Sequence, residues 1–272
     1  MKPLLDWLGT FNAEARVQVL EGLYTGNILG PPKIGLVIVG RNPSTSEIPA
    51  GISRMMLVAD GQRVLDSISQ DIIADAVRDL HMVVMVMVDW DSEVAASCIA
   101  KVLRSQGILL TVAFQSVRCG SKNRPYVDAL IHTNHERMPS LADICRGICD
   151  PLCMQDGVCC LDFEDARHLL VGHDGCGAFC FASCGGVNGA ADAARRAVVL
   201  LGQNRLQSAT AVLVAISAPP NLLRRADTKN ALQAVEEFRS PETAPILYSM
   251  TPAYGAHRDE ITVSLLVNGI QR

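Results

Sequence analysis

The chain has 272 residues, of which 49% are apolar and 19% charged, and its formal net charge is -4. This composition supplies enough apolar side chains for a full hydrophobic core, which excludes an intrinsically disordered protein. The slightly acidic balance gives no general attraction to nucleic acids or to anionic membranes, so we expect no nucleic-acid partner.

The first 32 residues predict an appended helix followed by a linker. Apolar side chains recur at helical spacing over residues 3–22, and glycines and prolines end the pattern. Asp6 and Glu14 interrupt the segment, so it lacks the apolar stretch of a secretory signal. The richest apolar run, residues 82–88, is far shorter than the ~20 residues of a bilayer span. We expect a cytoplasmic protein whose ten cysteines are reduced.

From residue 33 onward, apolar runs typical of strands alternate with amphipathic patterns typical of helices. The predicted strands are residues 34–39, 55–59, 82–88, 109–114 and 127–133, and the predicted helices are 68–80, 92–105 and 140–149. This alternation indicates a parallel sheet with helices on both faces, a Rossmann-like α/β unit over residues 33–156. The order breaks near residue 157. Strands at 209–217, 246–251 and 260–268, with helices at 190–201 and 228–238, indicate a smaller α+β unit over residues 157–272.

Residues 157–165, Gly-Val-Cys-Cys-Leu-Asp-Phe-Glu-Asp, resemble the synergy loop of FtsZ, commonly written GxINxDFxDV. Asp162 and Asp165 fall on its acidic positions, and Cys160 replaces its Asn. In FtsZ this loop reaches into the neighbouring subunit, where its carboxylates help water to attack GTP. The resemblance therefore implies a subunit contact at Cys160, Asp162, Phe163 and Asp165. The alternative is that Asp162 only caps the following helix while Phe163 packs beneath it.

Five further segments are similar to FtsZ segments and follow in the same order. They are residues 106–113, 127–131, 184–197, 211–222 and 259–269; the fourth resembles VLVNITGGPDL and the last resembles DEIRVTVIATG. The resemblance extends over residues 33–269. It implies the tubulin/FtsZ fold, in which a Rossmann-like domain and a smaller α+β domain are joined by a helix, here near residues 140–150.

The nucleotide-binding loops of the family are not retained. The tubulin signature GGGTGTG wraps the phosphates with consecutive backbone amides, which glycine permits. At the matching place this chain has Asp-Trp-Asp-Ser-Glu, so that Asp89 and Asp91 replace the cradle. Acidic residues are also favourable at a helix N-terminus, which is the purely structural explanation for them. Gly40 and Asn42 remain of the first loop, and Asn134 and Asp143 match the guanine contacts. These six residues are the predicted remnant of a nucleotide site.

We therefore predict a non-catalytic FtsZ-like assembly protein with no bound cofactor. Its expected partners are a genuine FtsZ subunit or further copies of itself, in a bacterial or archaeal cytoplasm. The chain ends at Arg272, without the linker and terminal peptide through which FtsZ binds membrane-anchoring partners, so no such tether is expected.

Two alternatives stay open. Asp89 and Asp91 are plausible ligands for Mg²⁺, which would make the chain a divergent GTPase. The cysteines suggest a Cys/His metal-binding or redox protein, because their spacings approach those of zinc sites. Buried packing of reduced thiols is the competing explanation. The residues concerned are Cys145, Cys149, Cys153, Cys159, Cys160, Cys176, Cys180 and Cys184, with His168 and His173 nearby.

Overall fold

The computed structural model describes residues 17–21, 32–40, 49, 52–59, 66–88, 92–116, 127–133, 139–153, 159–171, 176–239, 246–253 and 259–270. The strands are β1 Val17–Glu21, β2 Ile34–Gly40, β3 Ile52–Ala59, β4 Met82–Met87, β5 Leu110–Ser116, β6 Ala129–Thr133, β7 Cys176–Gly185, β8 Ala211–Ala218, β9 Ile246–Pro252 and β10 Glu260–Ile270. The helices are α1 Ser67–Val77, α2 Glu93–Ser105, α3 Leu141–Ile144, α4 Asp150–Cys153, α5 Phe163–Leu170, α6 Gly189–Leu201, α7 Gln203–Ser208 and α8 Arg225–Glu236. A π-helical turn, Cys145–Cys149, joins α3 to α4, and we call the three together the central helix.

The ten strands form one continuous sheet in the order β1-β3-β2-β4-β5-β6-β7-β10-β8-β9. Only β1 and β10 run antiparallel to their neighbours. The predicted parallel sheet is therefore confirmed for β2 to β6. Every residue of β4 is buried, as expected for a parallel strand that is covered on both faces.

The helix predicted over residues 3–22 is wrong where it meets the described structure. Val17–Glu21 is instead an edge strand, paired antiparallel with β3 from Val17↔Val58 to Glu21↔Arg54. The alternating apolar residues Val17 and Val19 pack against the layer beneath α1 and α2, so tertiary pairing overrides the helical spacing. Residues 3–16 of the predicted helix lie outside the described residues.

The two faces of the sheet bury different cores. On the outer face, α1 and α2 cover the first strands, and α6, α7 and α8 cover the last ones. On the inner face, the central helix and α5 pack against residues from β2 through to β10. The two predicted units thus share one sheet and one inner core. Pairing of β6 with β7 from Ile131↔Gly177 to Thr133↔Phe179 joins them.

An aromatic contact fixes this junction. The rings of Phe114 on β5 and Phe179 on β7 meet edge to face with centroids 5.6 Å apart. Gly147 of the central helix lies against the same ring, and a Cβ there would lie 2.4 Å from Phe179. Glycine therefore permits the close approach of the helix to the sheet. Within the described ranges, no helix is both long and apolar enough to cross a bilayer.

Candidate functional site

The carboxyl ends of β2, β4, β5 and β6 meet at one edge of the sheet, which we call the upper edge. In open α/β sheets, ligands bind outside this edge. Gly40 ends β2 there and is buried. Of the predicted remnant of a nucleotide site, Asn42, Asp89, Asp91 and Asn134 lie outside the described residues.

The start of α2 is held at this edge by two side-chain contacts. Ser92 is fully buried, and its hydroxyl donates to the carbonyl oxygen of Val39, the neighbour of Gly40, at 3.3 Å. Glu93 is the first residue of α2, and its carboxylate accepts from Nε2 of the buried Gln115 at 3.3 Å. A side chain from β5 therefore holds a carboxylate at the positive end of the helix dipole, which is where an anion would otherwise bind.

Asp143 is engaged within the central helix. Its backbone N–H donates to Oγ of Ser140 at 3.2 Å, while the Ser140 hydroxyl donates back to the Asp143 carboxylate. Arg146 forms an ion pair with the same carboxylate at 3.3 Å. These bonds form a helix N-cap, with Asp143 at the third helical position. A contact of Asp143 with a guanine base stays a prediction.

The synergy-like loop is described from Cys159 onward. Asp162 caps α5, since its carboxylate accepts from the backbone N–H of Glu164 at 2.8 Å. Phe163 is half-buried against the inner core, whereas Cys160, Asp162 and Asp165 are exposed. The capping geometry considered as the alternative is therefore confirmed for Asp162 and Phe163. Subunit contact by the exposed groups of this loop stays a prediction.

The loop is anchored at both sides of its exposed part. The N–H of Leu161 donates to the carbonyl of Pro151 at 2.9 Å. Cys159 exchanges two backbone hydrogen bonds with Met250 of β9, of 2.8 and 3.4 Å. These hydrogen bonds fix the backbone just before α5. The exposed carboxylates of Asp162 and Asp165 therefore project from a part of the chain whose position is set by these bonds.

This loop lies at the opposite end of the central helix from the upper edge. Pro151, which contacts the loop, is two residues before Cys153. The Cys153 thiol lies 3.7 Å from the carbonyl oxygen of Pro32, just before β2 begins. The loop is therefore near the amino end of β2, and Gly40 marks the other end of the same strand.

Three of the cysteines, Cys145, Cys149 and Cys180, are buried packing residues in the described structure. Cys145 and Cys149 are buried in the inner core, and the Cys180 thiol donates to the carbonyl oxygen of Ala197 at 3.0 Å. A hydrogen bond with Cys145, together with burial, raises the pKa of Cys149 well above its usual value. Burial raises the pKa of Cys153 to about 12. Among the described residues, no group of three or more His, Cys, Asp or Glu side chains could hold a metal ion.

Asp150 is a buried carboxyl that the sequence analysis missed. It begins α4 with 6% of its surface exposed. Burial raises its pKa to about 6, against a smaller lowering by the Arg146 guanidinium. The available signal was an acidic residue in an apolar helix, Ile-Cys-Asp-Pro-Leu, where a charge has little water to solvate it.

Comparison with known proteins identifies the fold. No protein-family model matches the chain, and no curated protein does so either. An empty FtsZ dimer from M. jannaschii aligns with a TM-score of 0.64 and 18% identity, covering 79% of this chain and 72% of that chain. CetZ2 from Haloferax volcanii, a GTPγS-bound protofilament, aligns with a TM-score of 0.56 and 15% identity, covering 88% and 94%. CetZ1 from the same organism, a GDP-bound monomer, gives 0.53 and 14%, covering 75% and 69%. The chain therefore has the fold of the FtsZ/tubulin superfamily, as the resemblance of its sequence implied.

Proposed function

We propose that this chain is an FtsZ-like assembly protein that acts by binding protein subunits and does not hydrolyse GTP. The observation that carries the proposal is the carboxylate of Glu93, which Gln115 holds at the N-terminus of α2. A phosphate ~4 Å from this carboxylate would be repelled by roughly 4 kcal/mol at an effective dielectric of 20. The sequence around it, without glycine between residues 88 and 95, supplies no replacement cradle of backbone amides.

The solved structures of similar proteins bear on two parts of the proposal, nucleotide binding and assembly. The CetZ structures are described as GTPγS-bound and GDP-bound, which favours nucleotide binding by proteins of this fold. The FtsZ and CetZ2 structures are also described as a dimer and a protofilament, which favours assembly. Fold alone does not assign activity, so the proposal rests on the local chemistry of the upper edge, which supports assembly without bound nucleotide.

The proposed contact with an FtsZ-type partner is the exposed loop at the start of α5. Asp165 and Cys160 are exposed to solvent, and the capping bond of Asp162 preserves the loop conformation. Such a subunit docks this loop on the nucleotide edge of a partner. Its own upper edge holds no nucleotide for the next FtsZ subunit, so it terminates the growth of an FtsZ filament.

The partner function is tested by measuring the length of FtsZ filaments formed with GTP in the presence of this protein. We expect shorter filaments, and we expect Asp165→Lys to abolish the effect. Asp192→Lys is the matched control, because Asp192 is also an exposed acid in the first turn of a helix. Unchanged filament length together with no binding to FtsZ would show that the proposal is wrong.

GTP hydrolysis requires nucleotide binding, which is tested by calorimetry with GTP and GDP in the presence of Mg²⁺. We expect no binding of either nucleotide up to millimolar concentration and no nucleotide released from the purified protein. Micromolar binding would reverse this part of the proposal. It would favour the divergent GTPase in which Asp89 and Asp91 bind Mg²⁺.

A further inference from the structure

A buried side chain of β10 holds the end of α5. Asn268 has 2% of its surface exposed, and its Nδ2 donates to the carbonyl oxygens of Leu169 and Leu170 at 3.3 and 2.9 Å. These two residues end α5 and precede Asn268 by 99 and 98 positions in the chain. The last carbonyl groups of a helix have no partner within the helix, so the amide of Asn268 caps the C-terminus of α5.

α5 ends without a glycine cap. Val171 follows the helix in an extended conformation, with φ -93° and ψ 146°. Many helices instead end with a glycine in the left-handed conformation, and the N–H groups of that glycine and of its successor bond the last carbonyls. In α5 the donor comes from a side chain of the sheet. The end of this helix is therefore tied to β10.

Packing alone does not explain an amide at position 268. Oδ1 of Asn268 is buried without a hydrogen-bond partner, which lowers stability. Leu266 lies two residues earlier on the same side of β10 and is buried in the inner core. A leucine at position 268 would fill a similar volume and would leave no such oxygen. What the amide adds is the pair of hydrogen bonds to α5.

The orientation of α5 depends on these bonds because little else of the helix is buried. Three of its eight residues, Ala166, Leu169 and Leu170, are buried, and Phe163 is half-buried. The backbone bonds that anchor the synergy-like loop lie before the helix begins. A short helix that is held at its start and by a few apolar contacts is free to tilt at its far end. Asn268 holds that far end.

We propose that Asn268 is a positioning residue for the contact with an FtsZ-type subunit. Leu169 lies four residues after Asp165, which is about one helical turn, so the bond that fixes Leu169 also fixes the direction of Asp165. Asn268 itself is buried and does not touch the partner. This role rests on the proposed function and deepens it, because Asn268 sets the geometry of the docking loop from a distant strand.

The first experiment measures the affinity of two variants for FtsZ by calorimetry. Asn268→Leu removes both bonds to α5, and we expect it to bind FtsZ at least about tenfold more weakly than wild type. Thr262→Val is the matched control, because Thr262 is also buried on β10 but bonds Ser183 of β7, at 2.8 Å. We expect this control to bind as wild type does. Circular dichroism checks that both variants are folded. Asn268→Leu with wild-type affinity, or two variants that are weakened equally, would overturn the proposal.

A double variant shows whether Asn268 acts through the loop. Asp165→Asn removes the charge of the proposed contact and is expected to bind FtsZ at least about tenfold more weakly. Because Asn268 works by directing Asp165, adding Asn268→Leu to Asp165→Asn is expected to change the affinity by less than about twofold. Two effects that multiply in the double variant would mean that Asn268 does not act through Asp165, and the proposal would be wrong.

Hydrogen exchange of the free chain separates the failure of this role from the failure of FtsZ binding. The amides of residues 166–170 are expected to exchange at least about tenfold faster in Asn268→Leu than in wild type, while those of β5 keep their rates. If α5 responds in this way but wild type does not bind FtsZ, the proposed function is wrong and the anchoring of α5 by Asn268 is upheld. If wild type binds FtsZ but α5 exchanges at the same rate in both proteins, only the positioning role is wrong.

Discussion

The inner face of the sheet differs sharply between its first and its last strands. In β2, β4 and β5, the inward side chains are large and apolar, among them Ile38, Val86 and Phe114, and all are buried. In β7, β10, β8 and β9, hydroxyl side chains form a row across the four strands. The register aligns Ser183, Thr262, Ser217 and Thr251 in that row.

Ser217, Thr251 and Thr262 of this row are buried, as is Ser249 next to it on β9, whereas Ser183 is half-buried. Ser183 and Thr262 bond to each other at 2.8 Å. Oγ of Ser249 and Oγ1 of Thr251 are buried without a hydrogen-bond partner. A buried hydroxyl left without a partner costs about 1–3 kcal/mol. The comparison indicates that β2, β4 and β5 are the stable platform of the molecule, whereas the last strands carry hydroxyl groups whose hydrogen bonding is incomplete.

The largest expected effect tests the platform. Phe114→Ala removes a fully buried ring and its contact with Phe179, so we expect the free energy of unfolding to fall by about 3–5 kcal/mol. Ser217→Ala on the hydroxyl row is the control and is expected to change it by less than about 1 kcal/mol. Urea denaturation measures both variants. Equal losses would show that the two regions do not differ in their contribution to stability.

A smaller effect is expected at Asp150, in the helix between the two regions. Its pKa is about 6 in the folded chain, against 3.8 for an ordinary Asp. The folded state therefore binds the proton more tightly, and stability falls as the pH rises from about 4 to about 6. The fall amounts to at most about 3 kcal/mol. Asp150→Asn is expected to remove this dependence and to unfold at higher urea concentration than wild type at neutral pH. If the free energy of unfolding had the same pH dependence in the two proteins, the raised pKa of Asp150 would be contradicted.

The smallest expected effect tests the hydrogen bonding of the hydroxyl row. Thr251→Val removes a hydroxyl that has no partner, so we expect a gain of about 1 kcal/mol in the free energy of unfolding. Thr262→Val breaks the bond to Ser183 and is expected to lower it by a similar amount. Urea midpoints of the two variants should therefore move in opposite directions. Movement in the same direction would mean that Thr251 is hydrogen-bonded in solution, for example to water.

Sequence patterns predicted the strands and helices whose hydrophobic pattern lies within a single segment of the chain. The runs behind β2, β4 and β8 are continuously apolar, which is typical of strands covered on both faces, and α2 and α6 have clear helical periodicity. The same reasoning failed for β1, where the pairing with β3 decides the conformation. It also missed α7, a helix of six residues with little periodicity to detect.

The site was less predictable because its contacts are distant in sequence. The cap formed by Asp162 follows from neighbouring residues and was anticipated. The bond from Gln115 to Glu93 spans 22 residues, and in the sequence Gln115 is only a polar residue at the end of an apolar strand. The hydroxyl row depends on the register of four strands, which no single segment contains.

The contact between Cys159 and Met250 has a consequence for aggregation. β9 is the last strand of the sheet, and an uncovered strand edge invites pairing with strands of other molecules. Cys159 already uses both the N–H and the C=O that Met250 turns outward. An incoming strand therefore finds no free hydrogen-bonding groups at that position of β9. The loop that carries Asp162 and Asp165 thus also protects the protein from growing its sheet onto a neighbour.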